Sequence, residues 1–388
     1  MPTESIIGVY PFREFVIKVA SRCDLACTYC YMYLPGDQSW KTAPRFISDA
    51  VVDRIGRAIG EHVTAHGVDD ITIILHGGEP LLAGATRLTT IAGRLRAIIP
   101  PATRVGVSMQ TNGVLLDETS LQELASAGIR VAVSLDGDEQ SHDRHRLHPN
   151  GSGSHARAMK AVELLSSPEH RTAFAGLLCV VDLESDPRRT YRFLARSAPP
   201  VIDFLMPFGN WTTPPPGRLP DDSTPYGDWL AAAFDEWYDS PHPRPEVRLF
   251  REVVTLLMGG HSRTEQVGLS PACMIVFDVS GAMEQVDSLR TVGRHAASTA
   301  MSVFTHDLED ALNHPAIRDR QMGIRGLSSA CQSCPLVRVC GGGHYVHRYR
   351  EGIGFRERSV YCADLSRLIP HISQRVRHDI AQFSGMTR

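Results

Sequence analysis

Short apolar runs alternate with helical periodicity along the first half of the chain. The runs are FVIKVA (Phe15–Ala20), ITIILH (Ile71–His76), VGVSM (Val105–Met109), VAVSL (Val131–Leu135), FAGLLCVV (Phe174–Val181) and VIDFLMP (Val201–Pro207), and each reads as a strand. Between the first two lies SDAVVDRIGRAIGEHVTAHG. Ser48 is placed to cap a helix there, and Val51, Val52, Ile55, Ile59 and Val63 share one face of it. Gly67 is placed to end it. LQELASAG, ending at Gly128, repeats the same logic over a shorter span. Strand–helix alternation of this kind predicts parallel βαβ units. Six units make an α/β fold, a partial and open (β/α)6 TIM barrel, expected over residues 1–210.

The texture changes after Pro207. GNWTTPPPGRLPDDSTP (Gly209–Pro225) is rich in proline and polar residues and reads as a connector. YGDWLAAAFDEWY and VRLFREVVTLLMGG are predicted helices whose aromatic and leucine stripes are expected to pack in a core. Residues 211–265 therefore read as connector and bridging helices. Short strands, turns and cysteines are expected from about Ser270 onward, with 266–388 a further domain. No internal repeat or low-complexity tract interrupts this order.

Composition narrows the classes. A chain of 388 residues suggests about two or three domains, and 43% hydrophobic content is ample for a core. The formal net charge of −3 lacks the basic footprint of a nucleic-acid binder. The N-terminal MPTESIIGVYPFREF has no basic region followed by an apolar one, and no stretch approaches the roughly 18 apolar residues of a membrane span. A cytoplasmic protein with no membrane and no nucleic-acid partner is expected. The nine cysteines are odd in number and clustered, which fits metal or cluster binding better than disulfides.

Three of them stand in CDLACTYCYMY, at Cys23, Cys27 and Cys30, just after the first predicted strand. A structural zinc site takes four protein ligands, so this trio is one short. Either a distant residue completes a zinc site, or three thiolates hold a four-iron four-sulfur cluster and leave one iron open to a substrate or cofactor. In barrel-like parallel folds, chemistry gathers on the loops at the C-terminal ends of the strands. The next such loop is HGGEP (His76–Pro80), where two glycines let backbone close on a ligand and Glu79 could accept from an ammonium group. QTNG (Gln110–Gly113), with Asn112, ends the third strand, and SLDG (Ser134–Gly137) ends the fourth. Four polar, glycine-rich strand ends thus fall on one rim.

C-x3-C-x2-C followed by GGEP resembles the radical S-adenosylmethionine (SAM) superfamily. The resemblance implies that Cys23, Cys27 and Cys30 hold a 4Fe-4S cluster and that the amine and carboxylate of S-adenosylmethionine chelate its open iron. Reductive cleavage would then give a 5′-deoxyadenosyl radical. By the same resemblance Tyr29 lies near the adenine, and Gly77, Gly78, Glu79 and Pro80 hold the methionine amine. Asn112 joins the cofactor-binding set, and Ser134 and Arg146, in SLDGDEQSHDRHR, match ribose and carboxylate contacts. Arginine suits a carboxylate because its donors form a planar fork. Without the resemblance, Arg146 reads equally well as a solvated surface residue.

The second cysteine group, CQSCPLVRVCGGGH (Cys331–His344) with a later Cys362, resembles the SPASM domain. That domain extends radical SAM cores at the C-terminus and carries auxiliary clusters. The resemblance implies one auxiliary 4Fe-4S cluster on Cys331, Cys334, Cys340 and Cys362. A second is not expected, because Cys273 fits one of its ligands while Val286 and His344 stand where cysteines belong. Cys273 then reads as a buried thiol. A zinc ribbon remains the alternative for the other four.

Finer motifs, VRLFREVVTLLMGG, SGAMEQVDSLR (Ser280–Arg290) and CGGGHYVHRY (Cys340–Tyr349), resemble the FxsB-type radical SAM/SPASM maturases. Several of these join an aromatic ring carbon to the β-carbon of a residue two positions on, forming a three-residue cyclophane. The resemblance implies a ribosomally made precursor peptide as substrate and an external electron donor of the flavodoxin or ferredoxin type. It places Asp287 as acceptor of the proton lost on rearomatisation, although an exposed turn carboxylate is an equal reading of that residue. The auxiliary cluster would take the electron. The first predicted strand starts within about fifteen residues of the N-terminus, so leader recognition is expected from the C-terminal domain or a separate protein. Thioether formation, epimerisation and simple oxidation are rival outcomes. A zinc-bearing peptide-binding protein without catalysis is a rival of another class.

Overall fold

The computed structural model describes residues 8–33, 38–218, 222–293 and 295–386. Its strands are β1 (Glu14–Ala20), β2 (Asp70–Gly77), β3 (Arg104–Thr111), β4 (Ile129–Ser134), β5 (Phe174–Val180), β6 (Val201–Leu205), β7 (Glu246–Val247), β8 (Met274–Phe277), β9 (Ala282–Glu284) and β10 (Ser298–Ser302). The longer helices are α1 (Asp49–His66), α2 (Ala85–Ile98), α3 (Glu118–Ser126), α4 (His155–Ser166), α5 (Pro187–Ala195), α6 (Pro225–Asp239), α7 (Arg248–Leu257) and α8 (Cys362–Met386).

The chain divides into two compact units. The first comprises residues 1–135, 142–177 and 271–322, and the second 136–141, 178–270 and 323–388. In the first, β1, β2, β3 and β4 pair in sequence order and parallel, with helices between them. This is the parallel α/β arrangement that the alternation predicted. Helix α1 forms where the apolar spacing placed it. Ser48 Oγ accepts from the Val51 amide at 3.3 Å, and Gly67 ends the helix in the left-handed region at φ 60°. The five predicted face residues are all buried.

The expected boundaries at 210 and 266 are not those of the compact units. Strand β8 pairs parallel to β1, with Phe15 opposite Ile275, so residues 271–322 extend the first unit's sheet. Strands β9 and β10 continue that edge antiparallel. In the second unit, β6 and β7 are parallel and α5 packs against α6.

The longest helix was not expected. Helix α8 begins at Cys362 and contains Pro370, a residue that costs a backbone hydrogen bond in a helix interior. Its buried Leu365, Leu368, Ile369 and Ile372 recur at helical spacing and pack toward α6. Gly227 in α6 donates to Asp364 at 2.8 Å, and a β-carbon there would fall 2.6 Å from the Asp364 carbonyl oxygen. Tertiary burial outweighs the local proline signal. The predicted connector runs without helix or strand over 209–218, and residues 219–221 lie outside the described set.

Ser48→Ala should lower stability by about 1 kcal/mol in a denaturant titration, and Ser48→Asp should restore it, because either side-chain oxygen satisfies an orphan helix amide.

Candidate functional site

The parallel order of β1–β4 brings four strand ends to one rim of the first unit. The cysteine loop leaves β1, and the GGEP turn leaves β2 directly beside it. Gly78 donates to the Ala20 carbonyl at 3.0 Å, and Glu79 donates to that of Arg22 at 2.9 Å. The approach explains the glycine pair. A β-carbon on Gly77 would lie 2.2 Å from the Ala20 carbonyl oxygen, and one on Gly78 would lie 1.9 Å from the Tyr33 hydroxyl and 2.3 Å from the Arg22 carbonyl oxygen. No larger residue fits without moving the backbone.

Glu79 is 1% exposed, and both its oxygens are engaged by the protein. Oε1 accepts from the Leu81 amide (3.0 Å) and the Thr111 hydroxyl (2.7 Å), and Oε2 from the Asn112 amide (2.8 Å). The residue expected to take an ammonium group therefore also bolts the β2 turn to the end of β3. Burial pushes its carboxyl up to about 7, against the three donors that favour the charged form. Pro80 follows, buried, at the first position of a short helical turn.

Asn112 bridges the end of β3 to the cysteine loop. Its Nδ2 donates to Asp24 at 2.8 Å and lies 3.8 Å from the Cys23 sulfur, while Oδ1 accepts from the Val114 amide. Ser134, at the end of β4, accepts from Gln110 at 2.8 Å. Arg146 is 8% exposed, which removes the reading of a solvated surface residue. It approaches the Tyr29 ring at 5.5 Å, and its charge acts on Cys30. Residues 145–147 lie along the cysteine loop: Ala26 donates to the Leu147 carbonyl, Thr28 donates to that of His145, and the Thr28 hydroxyl meets His145 Nδ1 at 2.7 Å. The structure thus gathers Tyr29, Glu79, Asn112 and Arg146 around the loop of the three cysteines.

The sulfur environment suits a metal cluster. The Leu25 amide points at Cys23 Sγ at 3.4 Å, and the amides of Met32 and Tyr33 serve Cys30. Burial nevertheless pushes the Cys23 thiol well up and the Cys30 thiol up, so a metal cation would favour their ionised sulfurs. Asp24 Oδ2 is buried beside them without a hydrogen-bond partner. Three thiolate donors, amide N–H groups aimed at sulfur and an orphaned carboxylate oxygen fit a cluster with an open position.

Asp287 is 7% exposed rather than an exposed turn carboxylate. It pairs with Lys18 and with Arg290 Nε (3.1 Å), while Glu284 meets the same two cations at 2.6 Å each. Burial pushes its carboxyl up, but Lys18 and Arg290 more than offset that and hold it below its ordinary range. Its charge is felt by Cys30, Tyr31 and His76, so the network borders the cysteine loop. The supporting roles of Lys18, Glu284 and Arg290 escaped the sequence reading. The available signal was Lys18, a charge inside the apolar run FVIKVA, since a lysine is almost never buried without a partner.

In the second unit, Cys331, Cys334, Cys340 and Cys362 converge. Ser328 caps the turn that carries Cys331, Cys340 ends another short helix, and Cys362 begins α8. Burial pushes the Cys340 thiol up to about 12, and it senses Cys362 and Cys331, while Cys362 senses Cys331 and Cys334. Four thiols in mutual range suit a closed metal site, zinc or iron–sulfur. Cys273 and Val286 belong to the first unit and His344 to the second. Cys273 is part-exposed rather than buried and lies 3.5 Å from the Pro271 carbonyl oxygen. Val286 packs in the core, and His344 accepts from the Val346 amide at 3.4 Å.

One further group, His62, His66 and Glu309, has the composition of a metal site. His62 Nε2 accepts the Phe12 amide at 3.0 Å, so Nδ1 carries the ring proton and donates to Glu309 at 3.1 Å. No lone pair remains on His62 for an ion, and the cluster joins α1 to the segment at 309.

A match to the radical SAM superfamily runs over residues 17–182. This segment has the radical SAM fold. The chain is 29% identical over 201 residues to the serine-type anaerobic sulfatase-maturating enzyme of Klebsiella aerogenes, covering 51% of this chain and 45% of that enzyme. It is 22% identical over 379 residues to the cysteine-type anaerobic sulfatase-maturating enzyme of Clostridium perfringens, covering 94% and 97%. Among solved structures, native anSMEcpe with bound AdoMet superposes with a TM-score of 0.77 at 20% identity, over 94% of this chain and 98% of that one. SuiB of Streptococcus suis superposes at 0.62 with 15% identity, over 91% and 77%. The architecture of the radical SAM domain and its extension is therefore shared. No helix among the described residues is long and apolar enough to cross a membrane.

The raised Glu79 carboxyl fixes a sign. Below its ordinary range the group is neutral in both folded and unfolded chains. Between about 4.5 and about 7 the folded chain holds the proton more tightly, so this contribution to stability is lost as pH rises through that window. Raising pH from 5 to 8 should therefore lower the stability of the wild type relative to Glu79→Gln in parallel denaturant titrations.

Proposed function

We propose that this chain is a radical SAM enzyme that modifies a ribosomally made precursor peptide, joining an aromatic ring carbon to a β-carbon. The observation that carries the reading is the rim where Cys23, Cys27 and Cys30 lie beside the GGEP turn, Asn112 and Arg146. In this reading the three thiolates hold a 4Fe-4S cluster, and Gly77, Gly78, Glu79, Pro80, Asn112, Ser134, Arg146 and Tyr29 hold S-adenosylmethionine. When bound, that pair supplies a 5′-deoxyadenosyl radical that removes a hydrogen atom, and a second cluster on Cys331, Cys334, Cys340 and Cys362 supplies an electron acceptor. A donor of the flavodoxin or ferredoxin type provides the reducing electron.

The chain's own residues then position and deprotonate. Arg146 presents a guanidinium whose charge acts on Cys30, and its planar fork would suit the cofactor's carboxylate. Asp287 receives the proton that the ring carbon sheds as aromaticity returns. Lys18 and Arg290 keep it ionised and ready, and a weak base suffices because an oxidised, non-aromatic ring is a strong acid. A peptide substrate is supported by two structures that share the fold: anSMEcpe is known with the Kp18Cys peptide and SuiB with its precursor peptide SuiA.

The near full-length match to a sulfatase-maturating enzyme favours a second reading, oxidation of one side chain on a protein substrate. Where the oxidised side chain keeps its heavy atoms, both outcomes remove two hydrogens, so mass alone does not separate them. Tandem mass spectrometry does. A cross-link suppresses backbone fragments between the joined residues, whereas an oxidised single residue leaves the series complete. Co-expression with the precursor should give the first pattern.

Two variants test the roles. Cys23→Ala should abolish cleavage of S-adenosylmethionine to methionine and 5′-deoxyadenosine. Asp287→Asn should leave that cleavage in place and reduce cross-linked product by about 10²–10⁴-fold. Product formation at the wild-type rate in Asp287→Asn would remove the base assignment.

A further inference from the structure

The triple-glycine turn behind the third cysteine of the second unit is built around one arginine. Gly341, Gly342 and Gly343 all occupy the left-handed region, with φ of 60°, 79° and 66°. Three consecutive residues there cost almost any other side chain strain. The turn presents two carbonyl oxygens to the same guanidinium: Arg348 Nη2 donates to Gly341 at 3.1 Å and to Gly343 at 2.9 Å. The side chain passes against Gly342, where an added β-carbon would lie 3.3 Å from Nε and 3.4 Å from Cζ. The turn thus seats Arg348 behind Cys340, whose sulfur takes the Gly342 amide.

The placement is electrically unusual. Both hydrogen-bond acceptors of this cation are neutral carbonyls, and Nε is buried with no partner. Burial works against the charge, and the groups that favour it are Tyr345, then Cys340 and Cys331, and only then the carboxylate of Glu265. A tyrosine is neutral near pH 7. Cys340 and Cys331 thus stand ahead of the Glu265 carboxylate, and metal-bound thiolates there would supply most of the compensating negative charge. An arginine stays ionised in such a place because its pKa starts so high.

We infer that Arg348 is the counter-charge of the auxiliary cluster and raises its reduction potential. Reduction adds one electron, and hence one negative charge, to a cluster already made negative by four thiolates. A fixed cation beside it stabilises the reduced form more than the oxidised form, and does so strongly because the surroundings are dry. The electron accepted is the one a substrate radical loses as its proton leaves. The inference rests on the reading of Cys331, Cys334, Cys340 and Cys362 as iron–sulfur ligands. Arg348 acts through the cluster, so its role is positioning and electrostatic rather than catalytic.

The test is a potentiometric titration of the anaerobically reconstituted full-length protein, followed by electron paramagnetic resonance. The front-cluster signal is identified by its change on adding S-adenosylmethionine. In Arg348→Gln the signal insensitive to that addition should shift to lower potential, by about tenfold in its one-electron reduction constant, or about 59 mV. Arg348→Lys should recover part of the shift, and the sensitive signal should not move. An unshifted midpoint in Arg348→Gln at full iron content would overturn the inference. So would loss of the auxiliary iron in both variants, which would make the residue a structural clamp. A wild type holding only about four irons and one reducible centre would instead sink the cluster reading beneath it.

Discussion

The close approach of two backbone segments governs the candidate site. The GGEP turn leaves β2 and donates to carbonyls at Ala20 and Arg22, at the root of the cysteine loop. A β-carbon on either glycine would collide with that loop or with Tyr33. The contact follows from parallel pairing. With β1 beside β2 in register, the C-terminal ends of both strands emerge at one height, and the segments that follow them must meet. Glu79 then fastens this junction to β3 through Thr111 and Asn112, and Asn112 returns to Asp24 in the cysteine loop. Three strand ends form a closed hydrogen-bonded circuit around the thiols.

Charge is handled differently in the two units. In the first, Lys18, Glu284, Asp287 and Arg290 balance as two cations and two anions, so burial is compensated within the network. The arrangement keeps Asp287 ionised in a place where burial alone would neutralise it. In the second, Arg348 is seated on the neutral carbonyls of Gly341 and Gly343. In the proposed reading, a metal cation would ionise thiols that burial disfavours as thiolates, and four metal-bound thiolates would supply the anion beside that arginine.

Several features were legible in the chain because they are local. The cap at Ser48, the face of α1, the left-handed Gly67 and the six strand-length runs depend on residues within a few positions of one another. The three-cysteine spacing and the GGEP motif are short-range too, and so carry the family resemblance before any contact is known. Arg146 and Asp287 were ambiguous in sequence, each reading equally well as a surface charge. Only burial, to 8% and 7% exposure, separated the readings, and burial is a property of distant segments.

The sequence by itself determined the alternation of elements, the two sets of metal-type cysteines and the glycines that allow backbone to close on a ligand. Tertiary structure decided which strand became the neighbour of β1, and that is why residues 271–322 belong with the first unit, carrying Asp287 to Lys18. It decided that a proline-containing segment would become α8, because its apolar stripe had α6 to pack against. It also decided where the charges of Lys18 and Arg348 are neutralised. Patterns of hydrophobicity and turn chemistry act between neighbours in sequence. The energy of a buried charge depends on groups hundreds of residues away, and only the folded chain brings them within range.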